Sequence, residues 1–294
     1  MWSPRLPMSL RLLVVASLAL AGCGGPARTI LAVKGSDSEV NVVQQLAEAY
    51  MARNPGVFVS VGGGGSGTGI AAILDRTAHV ANSSRPLTGI EILRSRREGM
   101  TLSGFVFATD ALAVVVHADN PVAELDLPAL GALYRGETPR WPHGAAVSLY
   151  GRQSNSGTYA YFREVAVKGE YAASLRQMNG SAQIVEAVRQ DRGGIGYVAA
   201  GYVEGERAAG LRVVPLVSPR DGAVLSPRDA DAVRARRYPL ARPLHQFVAS
   251  PVGAGVRAFL AFEDSPEGQA IVARNGFFPV SEEDARANHA LLGG

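Results

Sequence analysis

Apolar positions along this chain alternate between two periods. Ile30–Val33 is a short β-branched run, and Val40–Arg53 then places Val43, Leu46, Ala47 and Tyr50 on one helical face. Asn54-Pro55-Gly56 stops that helix, and Val57–Val61 begins the next strand. A Gly-rich turn, a helix near Gly69–Thr77, a strand near His79–Asn82 and a helix near Gly89–Gly99 follow. Phe105–Ala108 and Leu112–His117 are two strand runs divided by Thr109-Asp110. Beyond Pro121 the pattern restarts, with a helix at Leu127–Tyr134, a strand at Ala146–Tyr150 and a helix from Ser156. Next come a helix at Ala182–Gln190, strands at Ile195–Val198 and Leu211–Val217, and a loop from Pro215 to Pro227. Val256–Phe262 and Ser265–Asn275 are amphipathic helices. Repeated βα units predict an α/β fold, with parallel sheets covered by helices on both faces.

Composition narrows the function classes. At 294 residues and 47% hydrophobic the chain can bury a large core, and its length favours two domains. The net charge of +3 is close to neutral, with the many Arg dispersed among carboxylates, which argues against a nucleic-acid partner. A single cysteine excludes a disulfide framework and a thiolate metal cluster.

That cysteine is nevertheless informative. Arg5 and Arg11 precede the apolar run Leu12–Leu20, and Leu20-Ala21-Gly22-Cys23 follows it. A basic start, a short apolar stretch and small residues before the cut describe a secretory signal over residues 1–22. The run is too short for a permanent transmembrane helix. Leu-Ala-Gly-Cys resembles a bacterial lipobox, so Cys23 is expected to be lipid-modified (palmitate included) and to become the new N-terminus. The alternative is an ordinary signal with an incidental cysteine. Removing residues 1–22 leaves a net charge near +1.

The candidate chemistry lies in turns. Val57–Ile73 reads as a strand, the glycines Gly62–Gly65, Ser66-Gly67-Thr68, and a helix. Free N–H groups at a helix start, close backbone approach at glycine and two hydroxyls make an oxyanion site; a flexible linker or plain helix capping are the alternatives. No Lys follows the glycines, so this is not a P-loop. Ala146–Phe162 repeats the device, with Arg152 four residues ahead of Ser156-Gly157-Thr158. Arg adds a full charge and a fork suited to tetrahedral oxyanions. Gly35-Ser36-Asp37-Ser38 and Asn82-Ser83-Ser84-Arg85 also follow strands, where ligands of open α/β sheets bind. These motifs converge only if two lobes face each other across a cleft.

Together, GSDSEVNVVQQLAEAY, GGGGSGTGIAAILDRTAHVANSSRPL, GRQSNSGTYAYF, AVRQDRGGIGYV and SPEGQAIVARNGFFPV are similar to segments of the phosphate-binding substrate-binding lipoproteins of bacterial ABC transporters. The resemblance runs in order through Ile30–Val280. It implies a type II periplasmic-binding-protein fold of two lobes, each a mainly parallel sheet flanked by helices, with a ligand cleft between. Lobe one would be 29–108 plus 242–294 and lobe two 109–241, with 105–117 and 237–248 as crossing segments. It further implies a monomeric receptor without cofactor, lipid-anchored outside the cytoplasm, delivering inorganic phosphate to membrane permease subunits.

Carried over by motif, phosphate would be held by Ser36, Asp37, Ser38, Ser66, Gly67, Thr68, Ser84 and Arg85, and by Arg152, Ser156, Gly157 and Thr158, with Asn155 as a neighbour. The sequence departs from the family where Ser84 stands, a place at which well-known members carry an Asp that accepts the proton of hydrogen phosphate. Asp37 is expected to take that role; the alternative is that it caps the next helix. Other readings are a receptor for sulfate, molybdate or a phosphonate, and a phosphate sensor or adhesin without a transporter. An enzyme is not expected, because no nucleophile–base pair is identifiable and His79, His117, His143, His245 and His289 lack metal-ligand spacing. Asp110, in a crossing segment, reads as structural.

Overall fold

The computed structural model describes residues 29–293; the signal expected over residues 1–22 and the expected lipidation site Cys23 lie outside the described residues. The first sheet has the order β2-β1-β3-β12-β4, built from β1 (Thr29–Gly35), β2 (Val57–Gly62), β3 (Val80–Ser83), β4 (Thr101–Ala111) and β12 (Ala241–Ser250). The second has the order β7-β6-β8-β5-β9, from β5 (Ala113–His117), β6 (Ser148–Arg152), β7 (Arg176–Met178), β8 (Gly194–Val198) and β9 (Leu211–Val214). In each, the parallel trio β2-β1-β3 or β7-β6-β8 is extended by antiparallel partners. The sheets are therefore mixed rather than purely parallel, because the chain returns through β12 and runs directly from β4 into β5.

Helices cover these sheets for reasons visible in their residues. Helix α1 (Val40–Arg53) buries Val42, Val43, Leu46, Ala47 and Tyr50, and its end is closed by the Asn54 amide bonding to Tyr50. Helix α2 (Ser66–Leu74) follows the glycine turn. Helix α3 (Gly89–Arg97) starts with a full capping box, in which Thr88 accepts from the Glu91 amide and Glu91 from the Thr88 amide. In the second half, α4 (Leu127–Arg135) is capped by Asp126, and α5 (Gly157–Phe162) by Ser156. Beyond them lie α6 (Ser181–Arg189), the short α7 (Ala230–Arg234), α8 (Ala254–Glu263), α9 (Pro266–Arg274) and α10 (Glu282–Gly293).

The strand run expected at Leu211–Val217 breaks at Pro215, which has no N–H for a ladder, and part of the expected loop pairs as β10 (Leu216–Val217) with β11 (Val224–Leu225). The apolar core is continuous across the junction: one cluster runs from Val43, Leu46, Phe105 and Phe259 to Val115, Ile184 and Val188. No helix among the described residues is long and apolar enough to cross a membrane.

Candidate functional site

The four turns meet where the two sheets face each other. Gly35 ends β1 at φ +145°, and a Cβ there would lie 2.1 Å from the Asn82 carbonyl oxygen, so the β1 and β3 ends pack backbone to backbone. That packing sets Ser36 and Ser84 side by side, with their hydroxyls 3.1 Å apart. Ser66 at the start of α2 lies 3.4 Å from the Ser84 hydroxyl and accepts the Ser84 amide at 3.1 Å. From the other half of the molecule, the Thr158 hydroxyl comes within 2.8 Å of Ser38 and 3.4 Å of Ser84. Ser36, Ser38, Ser66, Ser84 and Thr158 thus form one buried hydroxyl cluster fed by both sheets.

Gly157 seals this junction. A Cβ at that position would fall 2.4 Å from the Ser66 hydroxyl oxygen and 2.8 Å from that of Ser84. Ser156, beside it, spends its side chain on the amide of Thr158 at 3.2 Å.

Charge is supplied by Arg152, only 1% exposed. Its Nη2 group binds one carboxylate oxygen of Asp37 and donates to the Asn179 carbonyl at 2.8 Å. Its Nε and Nη1 groups are buried and have no partner. Unpaired buried donors on a guanidinium are costly, and an anion is the natural group to satisfy them. Asp37 receives the Gly64 amide on its other oxygen at 2.9 Å, and its backbone carbonyl accepts from Tyr202 at 2.6 Å. It does not cap α1, whose first turn has no side-chain cap.

Three of the expected residues are engaged otherwise. The Gly67 amide donates to the Asn155 carbonyl at 3.0 Å, and the Thr68 hydroxyl donates to Gly64 at 2.7 Å. Asn155 answers by donating to the Gly64 carbonyl at 2.8 Å, so these groups clasp the two glycine-bearing turns together. Arg85 grips both oxygens of Glu91 at 2.8 and 2.7 Å. Burial would raise the Glu91 carboxyl, but the bonds from Arg85 and Thr88 outweigh it and hold it below its ordinary value.

Two buried ionisable groups escaped the sequence reading. Arg242 on β12 donates to Asp110 from Nε at 3.1 Å and Nη2 at 2.8 Å, to Thr158 at 3.0 Å and to the Ser84 carbonyl at 3.2 Å. Asp110 is fully buried, and burial raises its carboxyl against the pull of Arg242 and of the Ala200 amide. The signal was available: an Asp inside an apolar strand run demands a cation, and Arg242 lies in the other crossing segment. Glu39, at the start of α1, is also fully buried with both carboxylate oxygens unpartnered; burial pushes it well above the carboxylate range, against weaker opposing pulls from Ser36 and Arg242. Nothing in the pattern distinguished it from a solvated helix start. Among the described residues, no group of three or more His, Cys, Asp or Glu side chains could hold a metal ion.

Comparison with known proteins fits this geometry. Residues 24–267 match the model of the PBP superfamily domain. The phosphate-binding protein PstS of Pseudomonas aeruginosa is 30% identical over 282 residues, covering 88% of this chain and 85% of that protein. PstS of Bacillus subtilis is 25% identical, covering 86% and 81%. A Clostridium perfringens substrate-binding protein solved with bound phosphate superposes with a TM-score of 0.76 at 26% identity, covering 86% of this chain and all of that one. With the family model matching residues 24–267 and a relative at 30% identity aligning over 88% of the chain, this protein belongs to the PBP superfamily, in the family of the phosphate-binding proteins PstS.

Proposed function

We propose that this chain is an extracytoplasmic receptor that closes two lobes on inorganic phosphate and presents it to the permease of an ABC importer. The lobes are residues 29–108 with 242–294, and 109–241; Cys23 carries the lipid anchor, and the protein acts as a monomer without catalysis. The carrying observation is Arg152, a buried guanidinium with two unpartnered donor nitrogens, Nε and Nη1, held by Asp37 between two serines of the hydroxyl cluster. Ser36, Ser38, Ser66, Ser84, Gly157 and Thr158 would surround the anion with Arg152. Ser156, Gly67, Thr68 and Arg85 would hold the turns that present them.

Phosphate is favoured over sulfate by charge and by proton count. Arg152 is balanced by Asp37 and Arg242 by Asp110, so the cleft offers a near-neutral lining rather than excess positive charge. A carboxylate has about four acceptor sites, and Arg152 and Gly64 occupy two of those on Asp37. The remainder accept from a protonated oxyanion and repel one without a proton.

Calorimetric titration of residues 24–294 with phosphate, sulfate and arsenate tests the reading. Phosphate should bind one to one with sulfate at least a hundredfold weaker, and Asp37→Asn should narrow that gap at least tenfold. Equal affinity for sulfate removes the phosphate assignment, and an unchanged gap removes the role of Asp37. Release of phosphate from a chromogenic ester by the pure protein would overturn the non-enzymatic reading.

A further inference from the structure

Arg242 is a buried cation that touches both sides of the cleft. It stands on β12 in register with Asp110 on β4, the two strands that cross between the sheets. From that position it reaches the Ser84 carbonyl at 3.2 Å on the first-sheet side and the Thr158 hydroxyl at 3.0 Å on the second. Its guanidinium carbon lies 5.2 Å from the ring centroid of Tyr161, one turn further along α5, and Tyr161 donates to the Ala241 carbonyl at 3.0 Å. The pair is sealed from water, with side-chain exposures of 2% for Arg242 and 0% for Asp110.

The contact with Thr158 has a direction. A guanidinium has donors and no acceptor, so the Thr158 oxygen accepts from Arg242 and its own proton must be given elsewhere. The oxygens within reach are those of Ser38 and Ser84, which line the same cleft. Thr158 is thereby fixed as a donor facing the cluster, the polarity that an anion requires. The same guanidinium binds Ser84, so these contacts hold together only while the two lobes are closed.

We infer that Arg242, held by Asp110, is a positioning residue that sets the hydroxyl cluster to donate and ties closure of the cleft to the crossing strands. This rests on the oxyanion-receptor reading above, and it deepens that reading: Arg242 need not touch the anion to govern its affinity.

The test uses the full chain in detergent, as wild type, as Arg242→Lys and as the double variant Arg242→Gln with Asp110→Asn, which leaves no unpaired buried charge. Phosphate dissociation constants and dissociation rates are measured beside ligand-free melting temperatures. The double variant should bind phosphate at least tenfold more weakly, mainly through faster dissociation, while melting within a few degrees of wild type. Lysine keeps the charge but loses the fork, and should fall between the two. A folded double variant within twofold of wild type overturns the inference; if it does not fold, wild-type affinity and dissociation rate in Arg242→Lys overturn it. Sulfate and molybdate are titrated in parallel, so a wild type that prefers one of them refutes the phosphate reading and leaves the Arg242 comparison to be made with that anion. If wild type binds none, hydrogen exchange decides: faster ligand-free exchange at residues 82–85 and 156–160 in Arg242→Lys supports the inference, and unchanged exchange there overturns it.

Discussion

Single atoms decide what the cleft can hold, and Gly157 shows the scale involved. Its missing Cβ is the space into which the Ser66 and Ser84 hydroxyls project, at 2.4 and 2.8 Å from where that carbon would sit. Gly157→Ala should therefore push hydroxyls out of the cluster rather than unfold the helix, since the two nearest neighbours are short side chains that can rotate and the third, Arg85 Cγ at 3.1 Å, belongs to a flexible side chain. Overpacking of this kind costs about 1–3 kcal/mol. The expected outcome is a phosphate affinity at least tenfold weaker by calorimetry, with a melting temperature lowered by no more than a few degrees. Retained affinity would mean that the anion does not sit against this turn. Glu39 shows the opposite case at the same scale: one carboxyl, buried beside the serines it follows, whose burial no local pattern announces.

At the level of elements, the strand–turn–helix devices were legible because their chemistry is local. Helix α1 runs over Val40–Arg53 as its periodicity predicts, since its apolar face and the Asn54-Pro55-Gly56 stop are both written in consecutive residues. The break expected at Thr109-Asp110 is absent, because β12 crosses from far along the chain and Arg242 neutralises Asp110 inside the ladder. Pairing partners set by distant segments are what local periodicity omits. Arg85 illustrates the point within the candidate site. Its motif suggested an anion contact, yet the capping box of α3 places Glu91 where both of its oxygens meet the guanidinium. Arg85→Gln should thus lower the melting temperature by a few degrees while changing phosphate affinity less than threefold. A hundredfold loss of affinity with unchanged melting would instead put Arg85 on the anion.

The molecule as a whole carries a buried polar seam beneath the cleft, and its response to pH follows from burial. Asn82 on β3, Gln246 on β12 and Glu263 on α8 are linked by hydrogen bonds of 3.2 Å from the Gln246 amide to the other two side chains. Burial pushes Glu263 up to about 8, the Gln246 amide opposing and neighbouring Asp264 reinforcing it. In the unfolded chain that carboxyl titrates near ~4.3. Between those values the folded state binds more protons than the unfolded one, so stability falls as pH rises through that window. The stabilising contribution is complete below the unfolded value and is lost as pH passes the folded one. His245, whose pKa burial lowers, acts in the other direction, losing stability as pH falls through its own range below ~6.5. Replacing Glu263 by Gln keeps the shape and removes the proton. At pH 5 the variant should melt close to wild type, and at pH 8 about 3–5 °C above it, roughly 1 kcal/mol or more for a chain of this size. Melting curves of both proteins from pH 5 to 8 check this. Parallel curves across the range would show that Glu263 is ionised throughout, and the seam would then need a cation that the described residues do not supply.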